Sequence, residues 1–343
     1  MKKKILVTGG TGYIGSHTTV ELIEEGFEPI IVDNLYNSEA EVIDRIQQIT
    51  GVRPLLEVFD LCDHDKLDKF IKNHRDISAI IHFAAYKAVG ESVNKPLDYY
   101  RNNLFSLVNL LEGMKRHDIP DLVFSSSCTV YGQPEKLPVT EDAPIKTAVS
   151  PYGNTKQIGE SIIKDTAASD NNIKAISLRY FNPIGAHPSA LIGELPRGVP
   201  ENLVPYLTQT GYGIREELKV FGDDYNTPDG SCIRDYLHVV DLAKAHVIAI
   251  KRLLEGKNKT NYEIFNLGTG KGVSVLEAIK SFERVTGLKL KYKIVGRRAG
   301  DIEKIWADPS FANKELGWKT LSSLDEAMKT AWDWEKMIRS KKQ

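Results

Sequence analysis

Short apolar runs rich in β-branched residues alternate, through the first half of the chain, with longer polar stretches whose apolar residues recur at helical spacing. The runs are Ile5-Leu6-Val7, Pro29 to Val32, Leu55 to Phe59, Ala79 to Ala85, Leu122 to Phe124 and Ala175 to Leu178. Between them, Glu39 to Ile49, Lys66 to Lys72 and Leu97 to Lys115 carry a helical period. Nearly continuous apolar strands separated by helices predict an α/β fold with a doubly wound parallel sheet covered on both faces. Right-handed crossovers then put the ligand at the carboxyl ends of the strands. After Phe181 the texture changes, because Asn182-Pro183-Ile184-Gly185, Pro188, Pro196, Gly198, Pro200 and Pro205 break any regular layer. The expected organisation is a first domain over 1–181 and a smaller mixed α/β lobe over 182–343. The amphipathic stretch Asp241 to Leu254 reads as a helix that returns to the first domain.

The first run passes directly into Thr8-Gly9-Gly10-Thr11-Gly12-Tyr13-Ile14-Gly15, a G-x-x-G-x-x-G pattern between a strand and a helix. Gly9 would allow a backbone conformation closed to other residues, Gly12 the approach of a pyrophosphate, and Gly15 close packing of helix on strand. The helix start then faces the phosphates with its N–H groups and the positive end of its dipole. The second strand ends in Asp33, near the spacing at which a carboxylate accepts from an adenosine ribose, which favours NAD and disfavours the 2′-phosphate of NADP. Together these elements predict a Rossmann-type NAD site.

Composition narrows the choice of partners. With 45 basic and 46 acidic side chains and a net charge of -1 over 343 residues, no general field recruits nucleic acid or an anionic membrane. The start Met1-Lys2-Lys3-Lys4 lacks the apolar stretch of a signal peptide, and no run reaches transmembrane length. Cys62, Cys128 and Cys232 are far apart with no C-x-x-C pair, which speaks against a zinc site or a disulfide framework and for a reduced, cytoplasmic setting. No metal is expected.

Polar residues at strand ends carry the candidate chemistry. Asp60, after the third strand, would either accept from an adenine amino group or cap the next helix. Lys87, after Phe83-Ala84-Ala85-Tyr86, would reach a pyrophosphate or lie in solvent, and His82 reads as a core histidine rather than a catalyst. Ser125-Ser126-Ser127 closes the fifth strand, and Ser150-Pro151 opens a helix carrying Tyr152 and Lys156 at i and i+4, on one face. A phenol has a pKa of about 10. A cation about 4 Å away, at an effective dielectric of about 20, contributes roughly 4 kcal/mol and would bring Tyr152 toward neutrality as a base.

Beyond the turn and the Tyr152/Lys156 pair, the strings His82 to Ser92, Ser125 to Gly132, Leu178 to Pro183, Gly185-Ala186-His187-Pro188-Ser189 and Arg234 to Val239 resemble the UDP-glucose 4-epimerases of the extended short-chain dehydrogenase/reductase family, nearly end to end. That resemblance implies an NAD-binding domain over 1–181 and a nucleotide-sugar-binding domain over 182–343. It implies that NAD takes up and returns the C4 hydrogen of a UDP-hexose, interconverting UDP-galactose and UDP-glucose through a 4-keto sugar that turns over between the two transfers. Tyr152 would act as the base, Ser127 would hydrogen-bond the same oxygen, and Lys156 would hold the nicotinamide ribose. Cofactor contacts would come from Gly9, Gly12, Tyr13, Ile14, Gly15, Asp33, Asn34, Asp60, Leu61, Phe83, Ala84, Lys87, Asn102, Tyr152, Lys156 and Phe181. Substrate contacts would come from Ser127, Tyr152, Asn182, Asn202, Leu203, Val220, Phe221, Arg234, Arg298, Asp301 and Ile305, the two arginines being suited to bidentate phosphate contacts or, failing that, plain surface charge. A homodimer is also implied, through the helices Leu97 to Lys115 and Tyr152 to Asp165.

Two rival activities have distinguishable signatures. A 4,6-dehydratase needs an acid and a base after the fifth strand, where this chain has Ser127-Cys128-Thr129-Val130-Tyr131 with no Asp-Glu pair. A non-catalytic NAD-binding regulator would not need Ser127, Tyr152 and Lys156 together. The resemblance also bears on the sugar: before Trp306, where members confined to glucose and galactose tend to carry tyrosine, stands Ile305. A roomier pocket admitting UDP-N-acetylglucosamine is expected, unless Ile305 only packs beneath Trp306.

Overall fold

A computed structural model of the chain describes residues 2–298 and 301–340. In order, the elements are β1 (Lys4–Thr8), α1 (Tyr13–Glu24), β2 (Glu28–Asp33), α2 (Val42–Thr50), β3 (Leu55–Val58), α3 (His64–Asn73), β4 (Ile77–His82), α4 (Val89–Asn94), α5 (Pro96–Arg116) and β5 (Asp121–Ser125). A one-turn 3₁₀ helix (Cys128–Tyr131) precedes α6 (Pro151–Ser169), β6 (Lys174–Tyr180), β7 (Asn182–Ile184), α7 (Leu203–Gly211), β8 (Leu218–Phe221), β9 (Ile233–Arg234) and β10 (Tyr236–His238). Then come α8 (Val239–Leu254), β11 (Tyr262–Leu267), β12 (Val273–Ser274), α9 (Val275–Thr286), β13 (Tyr292–Val295), α10 (Ser310–Glu315) and α11 (Leu324–Ser340).

Seven strands form one sheet in the order β11-β6-β5-β4-β1-β2-β3. The pairings of β1 with β2 and β4, of β2 with β3, and of β5 with β4 and β6 are all parallel, the arrangement that the apolar runs predict. β11 is a strand that the sequence pattern did not announce. It is an edge strand whose first residues, Tyr262, Glu263 and Ile264, are only half-buried, so it lacks a fully apolar run.

The strand order reverses direction between β1 and β4, and a ligand of such a sheet sits where their carboxyl ends part. There the backbone of the glycine turn is tied in on both sides, Gly9 N donating to Val32 O at 2.8 Å and Phe83 N to Thr8 O at 3.0 Å. Beneath, Leu6, Ile80, Leu122 and Phe124 pack against Leu107, Leu110 and Met114 of α5 and Ile163 of α6. Burial of this apolar surface, at about 25 cal/mol per Å², is what holds the strand ends in place.

Packing density divides the chain into two compact units: Met1–Gly132, Pro144–Arg179 and Ala243–Phe265 in one, Gln133–Ala143, Tyr180–Leu242 and Asn266–Gln343 in the other. The first holds most of the large sheet. Within it α8 is fastened by the tilted contact of His246 with Phe83, ring centres 4.6 Å apart, and by the buried Arg252–Glu263 pair at 2.7 Å. The second unit has its own core, in which Leu207, Val220, Ile279, Phe282, Met328 and Ala331 pack together from α7, β8, α9 and α11. Asp235 of the same unit is fully buried, and the amides of Thr269, Gly270 and Ala307 donate to its carboxylate. Among the described residues no helix is long and apolar enough to cross a membrane.

Candidate active site

The cofactor cradle is made of backbone. Gly9 has φ +71°, and a Cβ there would come within 2.8 Å of Ala84 N, so the loop after β4 lies directly on it. A Cβ on Gly15 would meet Gly9 O at 2.2 Å, which is why α1 can start this close to the turn only with glycine. At Gly12 the sole neighbour of such a Cβ is Gly9 O at 3.2 Å, leaving its other side open to a bulky anion. No side chain caps α1 at Gly12, and the first-turn amides of a helix have no intrahelical partners. Tyr13 and Ile14 form the first turn of the helix.

Asp33 is buried and held in place by its surroundings. Thr11 N donates to its Oδ2 at 3.2 Å, while Leu35 N and Ser38 Oγ donate to Oδ1 at 2.9 and 3.1 Å. A carboxylate fixed in this way at the end of β2 is a poor neighbour for an extra phosphate. Asn34 Nδ2 donates to Asp60 Oδ2 at 3.3 Å, bringing those two residues together. The side chain that caps α3 is that of Asp63, which accepts from Lys66 N, while Asp60 Oδ1 accepts from Cys62 N at 2.8 Å. Leu61 is buried beside them. Lys87 lies over the ring of Tyr13, 5.7 Å from its centre, at the mouth of the cradle. These features fit NAD: a cradle that a Cβ would fill, a fixed carboxylate at the end of the second strand, and a cation over the first residue of the helix that leaves the turn.

The catalytic candidates come from β5, its 3₁₀ extension and α6. Ser150 caps α6 by accepting from Gly153 N at 3.1 Å, with Pro151 in the first helical position, so the local sequence itself starts the helix where Tyr152 and Lys156 share a face. Ser127 caps the 3₁₀ helix, accepting from Thr129 N at 3.2 Å. Ser127, Tyr152 and Lys156 are all at least nine-tenths buried. Lys156 Nζ donates to Ser125 O at 2.7 Å and lies 4.8 Å from the ring centre of Phe124 and 5.9 Å from that of Tyr152. The cation is thus buried beside the Tyr152 ring, where its charge favours an ionised phenol. Burial lowers the pKa of Lys156 to about 8, partly opposed by Glu160. The ammonium therefore keeps its proton at neutral pH.

His82 is a core residue. It shares a hydrogen bond with Thr8 Oγ1 at 2.7 Å and stacks on Phe124, and burial, with the charge of Lys156 adding to it, holds its pKa down at about 3. Asn102 donates to Asn103 Oδ1 at 2.9 Å, and it is Asn103, absent from the sequence-based candidates, that does the tying. Its amide donates to Tyr86 O and to Thr155 Oγ1, both at 3.0 Å, while its oxygen accepts from Tyr86 N at 2.8 Å. The loop after β4, α5 and α6 are thereby joined. The signal available in sequence was only that Asn102 and Asn103 are adjacent.

In the second unit the candidates separate into a cluster and scattered positions. Arg298 donates to Asp301 Oδ1 from Nε at 3.2 Å and Nη2 at 2.7 Å, lies 5.4 Å from the ring centre of Phe221, and Arg234 Nη2 is 3.9 Å from the same carboxylate. Phe221, Arg234, Arg298 and Asp301 thus belong together. Val220 points its side chain into the core, leaving only main chain to offer a ligand. Asn202 sits at the start of α7, just before Leu203, and donates to Glu194 at 2.7 Å. Asn182 pairs through its N–H with Asp235 O at 2.9 Å, Phe181 through its N–H with Leu267 O at 3.2 Å, and Ile305 is buried.

The model of the NAD dependent epimerase/dehydratase family matches residues 5–268. The chain is 50% identical over 331 residues to the UDP-glucose 4-epimerase of Bacillus subtilis (strain 168), covering 96% of this chain and 96% of the relative. Among solved structures it is similar to the UDP-glucose-4-epimerase of Stenotrophomonas maltophila with bound NAD and formylated UDP-arabinopyranose, with a TM-score of 0.95, 45% identity and 99% of each chain covered. It is similar as well to the UDP-glucose 4-epimerase of Bifidobacterium longum in complex with NAD+ and UDP, with a TM-score of 0.93, 45% identity, and 98% of this chain and 99% of that one covered.

Proposed function

The chain belongs to the NAD dependent epimerase/dehydratase family, and from that premise we propose that it interconverts UDP-galactose and UDP-glucose with a bound NAD. The observation that carries this reading is the buried set Ser127, Tyr152 and Lys156 in the same unit as a glycine cradle that ends at an acid. NAD, when bound, supplies a two-electron acceptor that takes up the C4 hydrogen and gives it back to the other face. Gly9, Gly12 and Gly15 would admit its pyrophosphate, Asp33 would accept from its ribose, and Lys87 and Asn102 would complete its surroundings.

Tyr152 removes the proton of the 4′-hydroxyl and later returns it. Lys156 stabilises the phenolate, and because Ser125 O holds its ammonium at 2.7 Å, the charge cannot swing away from the base. Ser127 hydrogen-bonds the reacting oxygen. For the nucleotide part of the substrate, Arg234 and Arg298 would bind the diphosphate once it replaces Asp301 as their partner. The direct test is to incubate purified protein with UDP-galactose, without added NAD, and to assay UDP-glucose. Formation of UDP-glucose is expected, and none forming with NAD supplied in excess would overturn the reading.

Three finer assignments accompany it. Ile305 is smaller than tyrosine and lacks its hydroxyl, so UDP-N-acetylglucosamine should also turn over. Ile305→Tyr should lower the N-acetyl to glucose ratio of kcat/KM by about tenfold or more, within the roughly 10- to 200-fold range of pocket-size discrimination; an unchanged ratio removes this residue from the specificity account. The protein should pair as a homodimer through α5 and α6, since Leu97, Phe105 and Val108 expose 78%, 57% and 37% of their surface along α5. Sedimentation of a 38.4 kDa species alone at micromolar concentration would contradict that. A cytosolic location suits cysteines that form no disulfide, as Cys62, Cys128 and Cys232 do not.

A further inference from the structure

Two turns beyond Tyr152 and one beyond Lys156, on the same face of α6, stands Glu160, which is buried. Its Oε1 accepts from Ser126 Oγ at 2.5 Å and from Arg179 Nε at 2.9 Å, and its Oε2 from Arg179 Nη2 at 2.6 Å. Arg179 in turn donates from Nη1 to Tyr131 OH at 2.9 Å and lies 4.9 Å from that ring's centre. The buried pair therefore fastens four pieces to one another: α6, the end of β5, β6 and the 3₁₀ helix.

Those four pieces carry or border every catalytic candidate of this unit. The three consecutive serines divide the labour: Ser125 holds Lys156 through its carbonyl, Ser126 binds Glu160, and Ser127 caps the 3₁₀ helix with the hydroxyl that meets substrate. Ser126 N also donates to Leu178 O at 3.0 Å, so the middle serine is pinned from both neighbouring elements. A buried ion pair is a poor source of stability, because desolvation of two charges cancels most of their attraction. Its position behind the base, bridging the segments that set the base's geometry, points to another use.

We propose that Glu160, paired with Arg179, is a positioning residue for the epimerisation chemistry: it locks the Ser125–Ser127 turn against the Tyr152/Lys156 helix and balances charge behind the base. This rests on the epimerase reading. The groups facing Lys156 are Tyr152 and Glu160 on α6, the neutral His82 on β4, and the Ser125 carbonyl and Phe124 ring on β5. Facing the ion pair from β11 is Tyr262, whose phenol burial pushes well up and keeps neutral. Removing the Glu160 charge thus leaves Arg179, held on Tyr131, as an uncompensated buried cation at a site one helical turn beyond Lys156, and a net positive charge there favours the phenolate.

The test uses the full chain with three variants, Glu160→Gln, Glu160→Gln combined with Arg179→Gln, and Ser126→Ala, each assayed for UDP-galactose turnover. Alongside, the Tyr152 phenolate is titrated by its near-ultraviolet absorbance, taken as the difference from Tyr152→Phe. Glu160→Gln should lower kcat by about 10- to 100-fold with KM held within about threefold, and should move the phenolate titration to lower pH. The charge-balanced double variant should bring that titration back while kcat stays low. Ser126→Ala, which keeps the ion pair, should lower kcat by about three- to tenfold with the titration unmoved. The proposal is overturned if only the melting temperature changes, if KM rises as far as kcat falls, or if the double variant fails to restore the titration. Should Glu160→Gln not fold, Ser126→Ala decides, and an unchanged kcat there is fatal. A native protein inert toward UDP-galactose would remove the functional reading, whereas the phenolate titration of the free protein judges the clamp without it.

Discussion

The glycine turn and the serine-tyrosine-lysine cluster belong to one structural unit, yet they are built on opposite principles. The turn is nearly all backbone: its function depends on side chains that are missing, and its geometry is enforced over a few residues by contacts such as a would-be Cβ on Gly15 at 2.2 Å from Gly9 O. The cluster works through side chains, drawn from the end of β5, the 3₁₀ helix and α6, and its chemistry depends on burial. Lys156 shows what burial does, because removal from water takes its pKa from 10.5 to about 8 and leaves a cation that has little water to screen it from the neighbouring phenol. A turn made of backbone binds by shape and has no titration of its own, whereas a cluster containing buried ionisable groups responds to pH through them.

The sharpest break in the comparison is Tyr152→Phe. It removes the base and nothing of the turn, so kcat should fall by about 10²- to 10⁴-fold while cofactor stays bound. Cofactor occupancy, read from the absorbance of the purified protein, should match the native value; turnover at the native rate would mean that the base lies elsewhere.

Lys156→Met separates function from stability. The folded pKa of this lysine lies below its unfolded value, so between about 8 and 10.5 the unfolded chain binds more protons. Its contribution to stability therefore rises with pH through that window, and the full penalty, on the order of 3 kcal/mol, is present at neutral pH and below. Replacing the ammonium with an apolar chain should raise the melting temperature at pH 7 and flatten the rise between pH 8 and 10.5. Activity should drop at the same time, and the acid limb of the kcat profile should move to higher pH as the phenol loses its cation. A lower melting temperature or an unmoved limb would show that Lys156 acts through packing rather than charge.

Gly15→Ala strikes the turn instead. The added methyl group meets main chain rather than a flexible side chain, so α1 must shift, at a cost of about 1 to 3 kcal/mol in the unfolding free energy of the cofactor-free protein. Cofactor occupancy should fall with it. No change in the pH dependence of residual kcat is expected, since no titrating group has been touched; a shifted profile would show that the turn and the cluster are coupled.

Reading the sequence reached the turn and the parallel sheet because both rest on local information. Glycines at fixed spacing, a β-branched run before them and an acid after the next strand are neighbours in the chain, and strand burial on both faces writes itself as apolar runs. The capped start of α6 is local too, with Ser150, Pro151, Tyr152 and Lys156 within one short stretch. What the sequence pattern did not disclose has partners far apart. Glu160 reads as a helix-surface acid until Arg179 and Ser126 are found on it, 19 and 34 residues away. Asn103 reads as a bystander to Asn102 until its amide reaches Thr155, 52 residues on. Segment Gln133–Ala143 packs with the second unit although it lies between two stretches of the first, and β11 reaches the sheet edge after a long excursion.

The sequence by itself determined which elements form and which residues could bind a pyrophosphate or serve as a base, because backbone freedom, helix capping and hydrophobic period act within a few residues. Only the tertiary structure decided how buried Tyr152 and Lys156 are, how near the ammonium lies to the Tyr152 ring, and what Glu160 is paired with. Desolvation and Coulomb energy depend on three-dimensional surroundings and distance, and no spacing along the chain encodes either.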